Sequence, residues 1–266
     1  MTAPPQPGSR VGDPRLAGRT VVVTGGGHGI GKAYCRRLAA EGAAVVIAEL
    51  DAPAAHDLAD DLAGSGGTAL AVGTDVADEA SVQAMADRAR GTFGRVDGLV
   101  NNAAMMAVVP MSRVGIEQLS VAEWDRMMAV NLRGMFLCCR AVLPGMRAQG
   151  SGKIVNISSS TVFIGSPSRI HYVTTKAGVL GFTRSLASEV GPDGITVNAI
   201  APGSTLSEED PDEEVLALRR RKASTRPLPR VQAPADVEGA LVFLLSADSD
   251  FIIGQTLVVD GGDAMH

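Results

Sequence analysis

VVVTGGGHGIGKAYCRRLAAEGAAVVIAELD, residues 21–51, is the stretch that decides the fold of this chain. A short run rich in valine is followed at once by a glycine-rich turn, a segment of helical period and a second valine-rich run. This order predicts a β-strand, a tight turn, a helix and a parallel second strand, which is the unit of a doubly wound α/β sheet.

Seven β-branched apolar runs of this kind alternate with helix-sized segments from residue 19 onward. They read RTVVVTG, AAVVIAEL, TALAVGTD, VDGLVNN, GKIVNISS, GITVNAIAPG and QTLVVDGG. The runs are apolar throughout instead of alternating, as strands buried on both faces require. We therefore predict a single α/β Rossmann-type doubly wound domain over residues 16–266, with a seven-stranded parallel sheet and helices on both faces. Residues 1–15, rich in proline and glycine, are predicted to form a flexible tail.

Composition narrows the class of ligand. The chain is 45% hydrophobic with a formal net charge of −5, and no basic block favours nucleic acid or an anionic membrane surface. We find no signal peptide and no apolar run long enough to cross a bilayer. Cys35, Cys138 and Cys139 lack metal-ligand spacing, so we expect no metal site and buried, reduced thiols in a cytoplasmic protein.

The glycine loop predicts a dinucleotide site. Gly25 permits the tight turn, Gly29 lets the backbone approach a pyrophosphate, and Gly31 lets the helix pack closely on the sheet. Glu49 and Asp51 follow the second run, where a carboxylate accepts hydrogen bonds from the adenosine ribose and repels a 2′-phosphate. Which of the two acids makes the main contact stays open, and an ordinary solvated strand-end acid accounts for either one.

HYVTTKA, residues 171–177, holds one of only two tyrosines in the chain. On a helix, Tyr172 and Lys176 lie on one face at positions i and i+4. The pKa of a phenol is about 10 in water, so it must be lowered for acid–base catalysis at neutral pH, and a nearby ammonium can do this. The alternative is a half-buried aromatic residue beside a solvated lysine.

Six motifs in order carry a resemblance to a known family: TGGGHGIG, NNA at 101–103, VNL at 130–132, NISS at 156–159, YVTTK at 172–176 and APG at 201–203. With them the chain resembles the short-chain dehydrogenase/reductase family over about residues 19–262. The resemblance implies a seven-stranded Rossmann sheet. It also implies a homotetramer assembled through two long helices, here roughly 121–149 and 170–190.

The resemblance also implies roles for individual residues. Tyr172 would exchange the alcohol proton. Lys176 would lower the pKa of Tyr172 and hold the nicotinamide ribose. Ser159 would polarise the substrate, whereas its neighbours Ser158 and Ser160 would not. Asn131 would support a water-linked proton path to the lysine. The expected cofactor-binding residues are Gly25, Gly27, His28, Gly29, Ile30, Gly31, Glu49, Asp75, Val76, Asn102, Tyr172, Lys176 and Thr205.

NAD is the expected cofactor, because Glu49 sits where a 2′-phosphate would go and His28 stands where NADP-preferring relatives often carry arginine. After APG the chain departs from the family pattern, so Thr205 takes the carboxamide-facing position and Ser207 stands in for a threonine. Residues 204–229 are charged, proline-punctuated and placed after the sixth strand, which favours a substrate lid.

The segments beside the catalytic residues are mostly apolar or small, so a small-molecule hydrophobic substrate is expected. Arg169 is the one cation among them, and because a strand-to-helix connection can turn such a residue outward, we infer no acidic substrate from it. The three methionines of 102–124 are either a plastic substrate wall or packing filler. The resemblance extends to NAD-dependent secondary alcohol dehydrogenases, which implies reversible hydride transfer between NAD(H) and a hydrophobic secondary alcohol or its ketone.

Two other functions remain possible from the sequence. A 3-oxoacyl-[acyl-carrier-protein] reductase would share the catalytic residues, and LRRRKAS at residues 218–224 could dock an acidic carrier. The simpler interpretation is that these cations balance the C-terminal end of a lid helix. A dinucleotide-binding sensor without turnover would be expected to lose Ser159, Tyr172 or Lys176, and all three are present.

Overall fold

The start of the described chain is tied to the domain. A computed structural model describes residues 14–106, 109–208 and 210–265. The predicted tail therefore lies outside the described residues except for Pro14 and Arg15. Arg15 Nη2 donates to Glu41 Oε1 at 2.9 Å. Glu41 directly follows the first helix, so a contact with the domain forms one residue before its predicted start at residue 16.

All seven predicted strands form one parallel sheet, which confirms the predicted fold class. The strands are β1 (Thr20–Thr24), β2 (Ala44–Glu49), β3 (Thr68–Gly73), β4 (Gly98–Asn101), β5 (Gly152–Ile157), β6 (Ile195–Pro202) and β7 (Thr256–Val259). Their order across the sheet is β3-β2-β1-β4-β5-β6-β7. The direction of winding reverses between β1 and β4, and the carboxyl ends of strands at such a point form a ligand-binding crevice.

Helices cover both faces of the sheet. They are α1 (Gly29–Ala40), α2 (Ala52–Gly64), α3 (Glu79–Phe93), α4 (Val121–Met128), α5 (Gly134–Gln149), the short α6 (Thr161–Ile164), α7 (Ile170–Val190), α8 (Glu213–Ala223) and α9 (Ala235–Leu245). Successive strand side chains point to opposite faces. Val22 and Val46 accordingly join a buried cluster with α3, α5 and α7, and Val21 and Val45 join one with α1, α2 and α9.

Burial on both faces holds for the central strands and not for the edges. Every residue of β1 and of β5 is buried, whereas β3 and β7 carry partly exposed residues along most of their length. An edge strand has a neighbour on one side only, so the continuous apolar pattern overstated burial there.

The helical segment Val121–Gln149 runs through α4, a π-helical turn (Ala129–Arg133) and α5. By length and composition it is apolar enough to cross a bilayer, which differs from the expectation that no apolar run is long enough to do so. This is weak support for a membrane span, since more than half of its most apolar window is buried inside the fold. A Cβ atom at Gly134 would lie 2.9 Å from Val76 Cγ2, so the glycine permits close packing there.

Candidate active site

The four residues predicted to be catalytic meet at the carboxyl edge of the sheet. Ser159 follows β5, Tyr172 and Lys176 lie in the first two turns of α7, and Asn131 lies in the π-helical turn. All four are buried. The structure therefore brings together residues that are separated by up to 45 positions in the chain, from Asn131 to Lys176.

Tyr172 is 5% exposed, and its environment differs from the expected one. Burial raises the pKa of Tyr172 above its ordinary value, although a hydrogen bond with Ser159 and the charge of Arg169 act to lower it. The net direction is opposite to the lowering expected from the sequence, because burial of the phenol is the largest cause. Lys176 Nζ lies 5.7 Å from the centroid of the Tyr172 ring.

Lys176 is anchored by the end of β5. Its Nζ donates to the carbonyl oxygen of Ile157 at 2.8 Å, and burial lowers the pKa of Lys176 to about 8. An amine with a pKa close to neutral can exchange a proton more readily than a solvated lysine. This carbonyl partner was not predicted from the sequence, because it depends on how β5 is placed beside α7.

Ser159 is the serine that points toward the tyrosine. Its Oγ accepts hydrogen bonds from Thr161 Oγ1 at 2.9 Å and, more weakly, from Thr161 N at 3.3 Å. Ser158 instead donates to the carbonyl oxygen of Lys176 at 2.8 Å, which ties the strand end to α7. The distinction drawn between Ser159 and Ser158 from the sequence therefore matches their different contacts.

Asn131 joins three segments through one side chain. Its Oδ1 accepts from the backbone N–H of Met105 at 2.9 Å, and its Nδ2 donates to Thr175 Oγ1 at 3.0 Å. The π-helical turn places this amide between the loop after β4 and helix α7, and such turns often occur at functional sites. Thr175 lies within the YVTTK motif, but the motif alone does not indicate that Thr175 contacts Asn131.

The glycine loop has the geometry that a pyrophosphate needs. Gly25 has a φ of +62°, and a Cβ atom on it would lie 2.9 Å from Ala103 Cα. Helix α1 begins after His28 with no side-chain cap on its first turn. Because the first amides of a helix have no intrahelical partner, they can bind phosphate oxygens. Gly27, Gly29, Ile30 and Gly31 complete this loop and the start of the helix.

Asn102 locks the loop from the neighbouring strand. Its Nδ2 donates to the carbonyl oxygens of Thr24 at 3.0 Å and Gly25 at 2.9 Å. The Oγ1 of Thr24 in turn accepts from the backbone N–H groups of Asn102 and Ala103 at 3.0 and 3.1 Å. Thr24 was not predicted as a site residue, although its place directly before the loop in TGG was visible.

The two acids after β2 have different partners. Glu49 is 4% exposed, and its carboxylate accepts from Gly27 N at 2.9 Å and from Leu50 N at 2.8 Å. Asp51 Oδ2 lies 2.9 Å from His28 Nε2. Glu49 is thus held under the glycine loop, whereas Asp51 bridges its outer side.

Asp75 and Val76 lie at the end of β3 in a turn. Asp75 is exposed, and its Oδ1 accepts from Ala77 N at 2.8 Å. Val76 is buried against Gly134. Their contact with an adenine ring stays a prediction.

The segment after β6 closes over the loop. Thr205 is 5% exposed, pairs with Gln232 and donates through Oγ1 to the carbonyl oxygen of Gly203 at 3.2 Å. A Cβ atom on Gly29 would lie 3.5 Å from the Ser207 side chain. The predicted lid, residues 204–229, therefore contacts the glycine loop at its start and contains α8.

Arg169 is turned toward Tyr172 and not outward. It is half-buried, and its Cζ lies 5.8 Å from the centroid of the Tyr172 ring. Its Nε donates to Ser166 Oγ at 2.9 Å. The preceding Ser168 has a φ of +61°, a left-handed conformation that serine seldom adopts. The sequence showed a loop before a helix but not this direction of the side chain.

The methionines near the site divide between two roles. Met105 is 1% exposed and packs with Met127 and Tyr172, so it is packing filler. Met106 is 47% exposed and is available as a wall of the entrance. Across 14–106, 109–208 and 210–265 no group of three or more His, Cys, Asp or Glu side chains has metal-site geometry.

Comparisons with known proteins agree with this geometry. The family model described as "Enoyl-(Acyl carrier protein) reductase" matches residues 25–263. The cis-4-hydroxycyclohexanecarboxylate dehydrogenase of Sinomonas cyclohexanicum is 41% identical, over 93% of this chain and 97% of its own. The D-threitol dehydrogenase of Mycolicibacterium smegmatis is 38% identical, over 94% of each chain.

A solved structure shows the same fold. The crystal structure of levodione reductase superimposes with a TM-score of 0.86 at 33% identity and covers 93% of this chain and 98% of its own. The family match, the relatives and the arrangement of Ser159, Tyr172 and Lys176 agree. This chain is a member of the short-chain dehydrogenase/reductase family and an oxidoreductase of that family.

Proposed function

We propose that this enzyme transfers a hydride reversibly between NAD(H) and a hydrophobic secondary alcohol or its ketone. The observation that supports this most directly is that Asn131, Ser159, Tyr172 and Lys176 are all buried together at the carboxyl edge of the sheet. Two hydroxyls that meet beside a glycine loop can hold one substrate oxygen near a bound dinucleotide.

In the oxidation direction, Ser159 Oγ hydrogen-bonds the substrate oxygen and orients it. Tyr172 Oη, as the phenolate, then takes the hydroxyl proton and becomes the neutral phenol, so that no free alkoxide forms. The ammonium of Lys176 stabilises the phenolate before this transfer, while Asn131 keeps α7 and the loop after β4 in register. NAD supplies the redox chemistry when it is bound, as acceptor of the hydride.

The residues of this chain fit the dinucleotide. The uncapped start of α1 suits the pyrophosphate, and Glu49 beside Gly27 suits the adenosine ribose. Thr205 suits the nicotinamide carboxamide, and Lys176 suits the nicotinamide ribose. These assignments rest on their position along one crevice.

The preference for an apolar substrate skeleton rests on the entrance. Met106, Ile164 and Ile170 are 47%, 50% and 41% exposed beside the catalytic residues. Large exposed apolar side chains around a polar centre are typical of ligand sites. Relatives named for cyclic and acyclic alcohols support the reaction class. Threitol is a polar substrate, however, so the relatives do not support an apolar substrate skeleton. That preference is inferred from the exposed apolar side chains.

A substrate panel tests the proposal. Aryl, alicyclic and steroid secondary alcohols are oxidised with NAD, and an acetoacetyl thioester is reduced with NADH and with NADPH. We expect turnover of at least one alcohol class at a kcat near the usual enzyme range of about 1–1,000 per second. Turnover of the thioester alone would replace this proposal by an acyl reductase.

A carrier-protein-dependent reductase is the second candidate, because the matching family model is described by an acyl carrier protein activity. The contacts of the proposed docking cations weigh against it. Arg219 donates to Ser204 and Glu208, and Arg220 pairs with Glu213. The cations of this stretch are thus partly neutralised at the end of α8, as the dipole interpretation predicts.

NAD is expected to be preferred over NADP. The carboxylate of Glu49 is fixed by two backbone donors, so it cannot easily turn away from a 2′-phosphate. We expect kcat/KM with NAD to exceed that with NADP by at least about 10-fold, because repulsion of the 2′-phosphate should cost about as much free energy as the loss of one charge-assisted contact. Steady-state turnover with each cofactor at equal concentration checks this, and equal efficiency would contradict it.

We further propose a cytoplasmic homotetramer. Val121 and Phe136, on the long helical segment, are 75% and 44% exposed, which suits burial against another subunit. The three free cysteines are buried, as suits a reducing compartment.

A further inference from the structure

Five cationic side chains lie close enough to influence one another, one of them, Arg169, lies beside Tyr172, and we call the five the cationic cluster. They are Arg113, Arg169, Arg219, Lys222 and Arg226. They come from three separate segments: the loop after β4, the turn before α7, and α8 with the residues that follow it. Such a concentration is unexpected in a chain whose formal net charge is −5.

The members of the cluster repel one another. Burial lowers the pKa of Lys222, and repulsion from four arginines of the cluster lowers it further. Burial also lowers the pKa of Arg169, and repulsion from Arg113 and Arg219 acts in the same direction. The five charges are therefore close enough to affect one another electrostatically.

Carboxylates neutralise only part of this charge. Glu208 Oε1 lies 2.7 Å from Arg219 Nη2, and Asp263 Oδ2 lies 3.8 Å from Arg226 Nε. For the other three cations, no carboxylate of the described residues is within ion-pair distance. Arg113 is exposed, whereas Arg169 and Lys222 are partly buried. A partly buried cation without a counter-ion costs free energy, so an anion bound at Arg169 and Lys222 would be stabilising.

Arg169 is the member that faces the reacting groups. Its guanidinium lies 5.8 Å from the centroid of the Tyr172 ring and is held there by Ser166 Oγ. The donors that Ser166 leaves unused can bind a carboxylate through a bidentate, charge-assisted hydrogen bond. Ile170, which directly follows Arg169 in the chain, is 41% exposed and offers an apolar surface.

We propose that the substrate carries an anionic group, such as a carboxylate, at the far end of an apolar skeleton from its carbinol carbon. Arg169 binds that group, and Arg113 and Lys222 add to the attraction. This inference rests on the proposed function, since it names the substrate class of the same site. It makes Arg169 a specificity-determining residue.

Arg169 could influence activity in two other ways, and the test must distinguish them from binding of a substrate anion. A cofactor phosphate is also an anion, and Arg219 reaches Ser204 at the start of the lid. Arg169 could also act only through Tyr172, whose pKa its charge helps to lower. A cofactor effect would change NADH binding, and an effect on Tyr172 would change all substrates alike.

The test uses 1-(4-carboxyphenyl)ethanol and its uncharged isostere 1-(4-carbamoylphenyl)ethanol with NAD. The proteins are the unchanged enzyme, Arg169→Gln and the control Arg221→Gln. Arg221 lies on α8 and is exposed, and it is not a member of the cluster. For each protein, kcat and KM are measured with both alcohols, and the dissociation constant of NADH is measured by fluorescence titration.

We expect the unchanged enzyme to prefer the carboxylate by at least about 10-fold in kcat/KM, mainly through KM, as one charge-assisted contact provides. Arg169→Gln should abolish this preference through a loss of kcat/KM that is larger for the carboxylate than for the amide, with NADH binding nearly unchanged, and Arg221→Gln should keep the preference.

Equal use of both alcohols by the unchanged enzyme would overturn the anion site and leave the proposed function standing. So would an equal loss with both alcohols in Arg169→Gln, or a preference that survives that change. If neither these alcohols nor any of the wider panel were oxidised, the proposed function itself would fail, and the anion site with it.

Discussion

Tyr172→Phe is expected to lower kcat by at least about 100-fold, the usual contribution of one general acid–base group. The change removes the hydroxyl that is proposed to exchange the substrate proton and leaves a ring that fills the same buried space. Single-turnover oxidation of a substrate alcohol measures the loss, and titration with NADH should show nearly unchanged binding.

Tyr34→Phe is the matched control. Tyr34 is fully buried, and its hydroxyl has no hydrogen-bond partner in the part of the chain that the structure describes. Removing an unsatisfied buried hydroxyl costs little or is stabilising, so both kcat and stability should be retained. If Tyr172→Phe kept near-normal turnover, the proposed proton transfer would have to be abandoned.

Gly31→Ala is expected to damage both folding and cofactor binding. A Cβ atom at this position would lie 1.9 Å from the carbonyl oxygen of Gly25 and 2.7 Å from Asn102 Nδ2. Neither atom can move without breaking the loop that Asn102 holds in place. We expect a loss of about 2 kcal/mol or more in the free energy of unfolding, as overpacking of a rigid site costs, with at least about 10-fold weaker NADH binding.

Gly91→Ala makes the same chemical change in another helix. Gly91 lies inside α3, and nothing stands within 4 Å of the Cβ position. Alanine is preferred over glycine in a helix interior by about 1 kcal/mol, so this variant should be more stable. Urea unfolding of both variants gives the comparison. Equal stability of Gly31→Ala and the unchanged protein would show that the loop is far softer than its contacts indicate.

The strands and the long helices could be predicted from the sequence because each leaves a local mark. A fully buried parallel strand must be a short β-branched run, and a tight turn at positive φ must be glycine, as at Gly25. The helices predicted at 121–149 and 170–190 begin and end at those residues. The apolar pattern overstated burial at the sheet edges, because the residues of a strand do not show whether that strand lies at the edge or in the centre of the sheet.

The sequence by itself determined the fold, the family and the identity of the residues around the candidate reaction, since the motifs of the glycine loop and of YVTTK are local. Only the tertiary structure decided which atoms these residues contact. Lys176 is tied to the carbonyl of Ile157, and burial keeps the pKa of Tyr172 high. The structure also turned Arg169 toward Tyr172 and joined it to cations from distant segments. Burial, side-chain direction and charge proximity are properties of the packed chain, and they arise between residues that no motif connects.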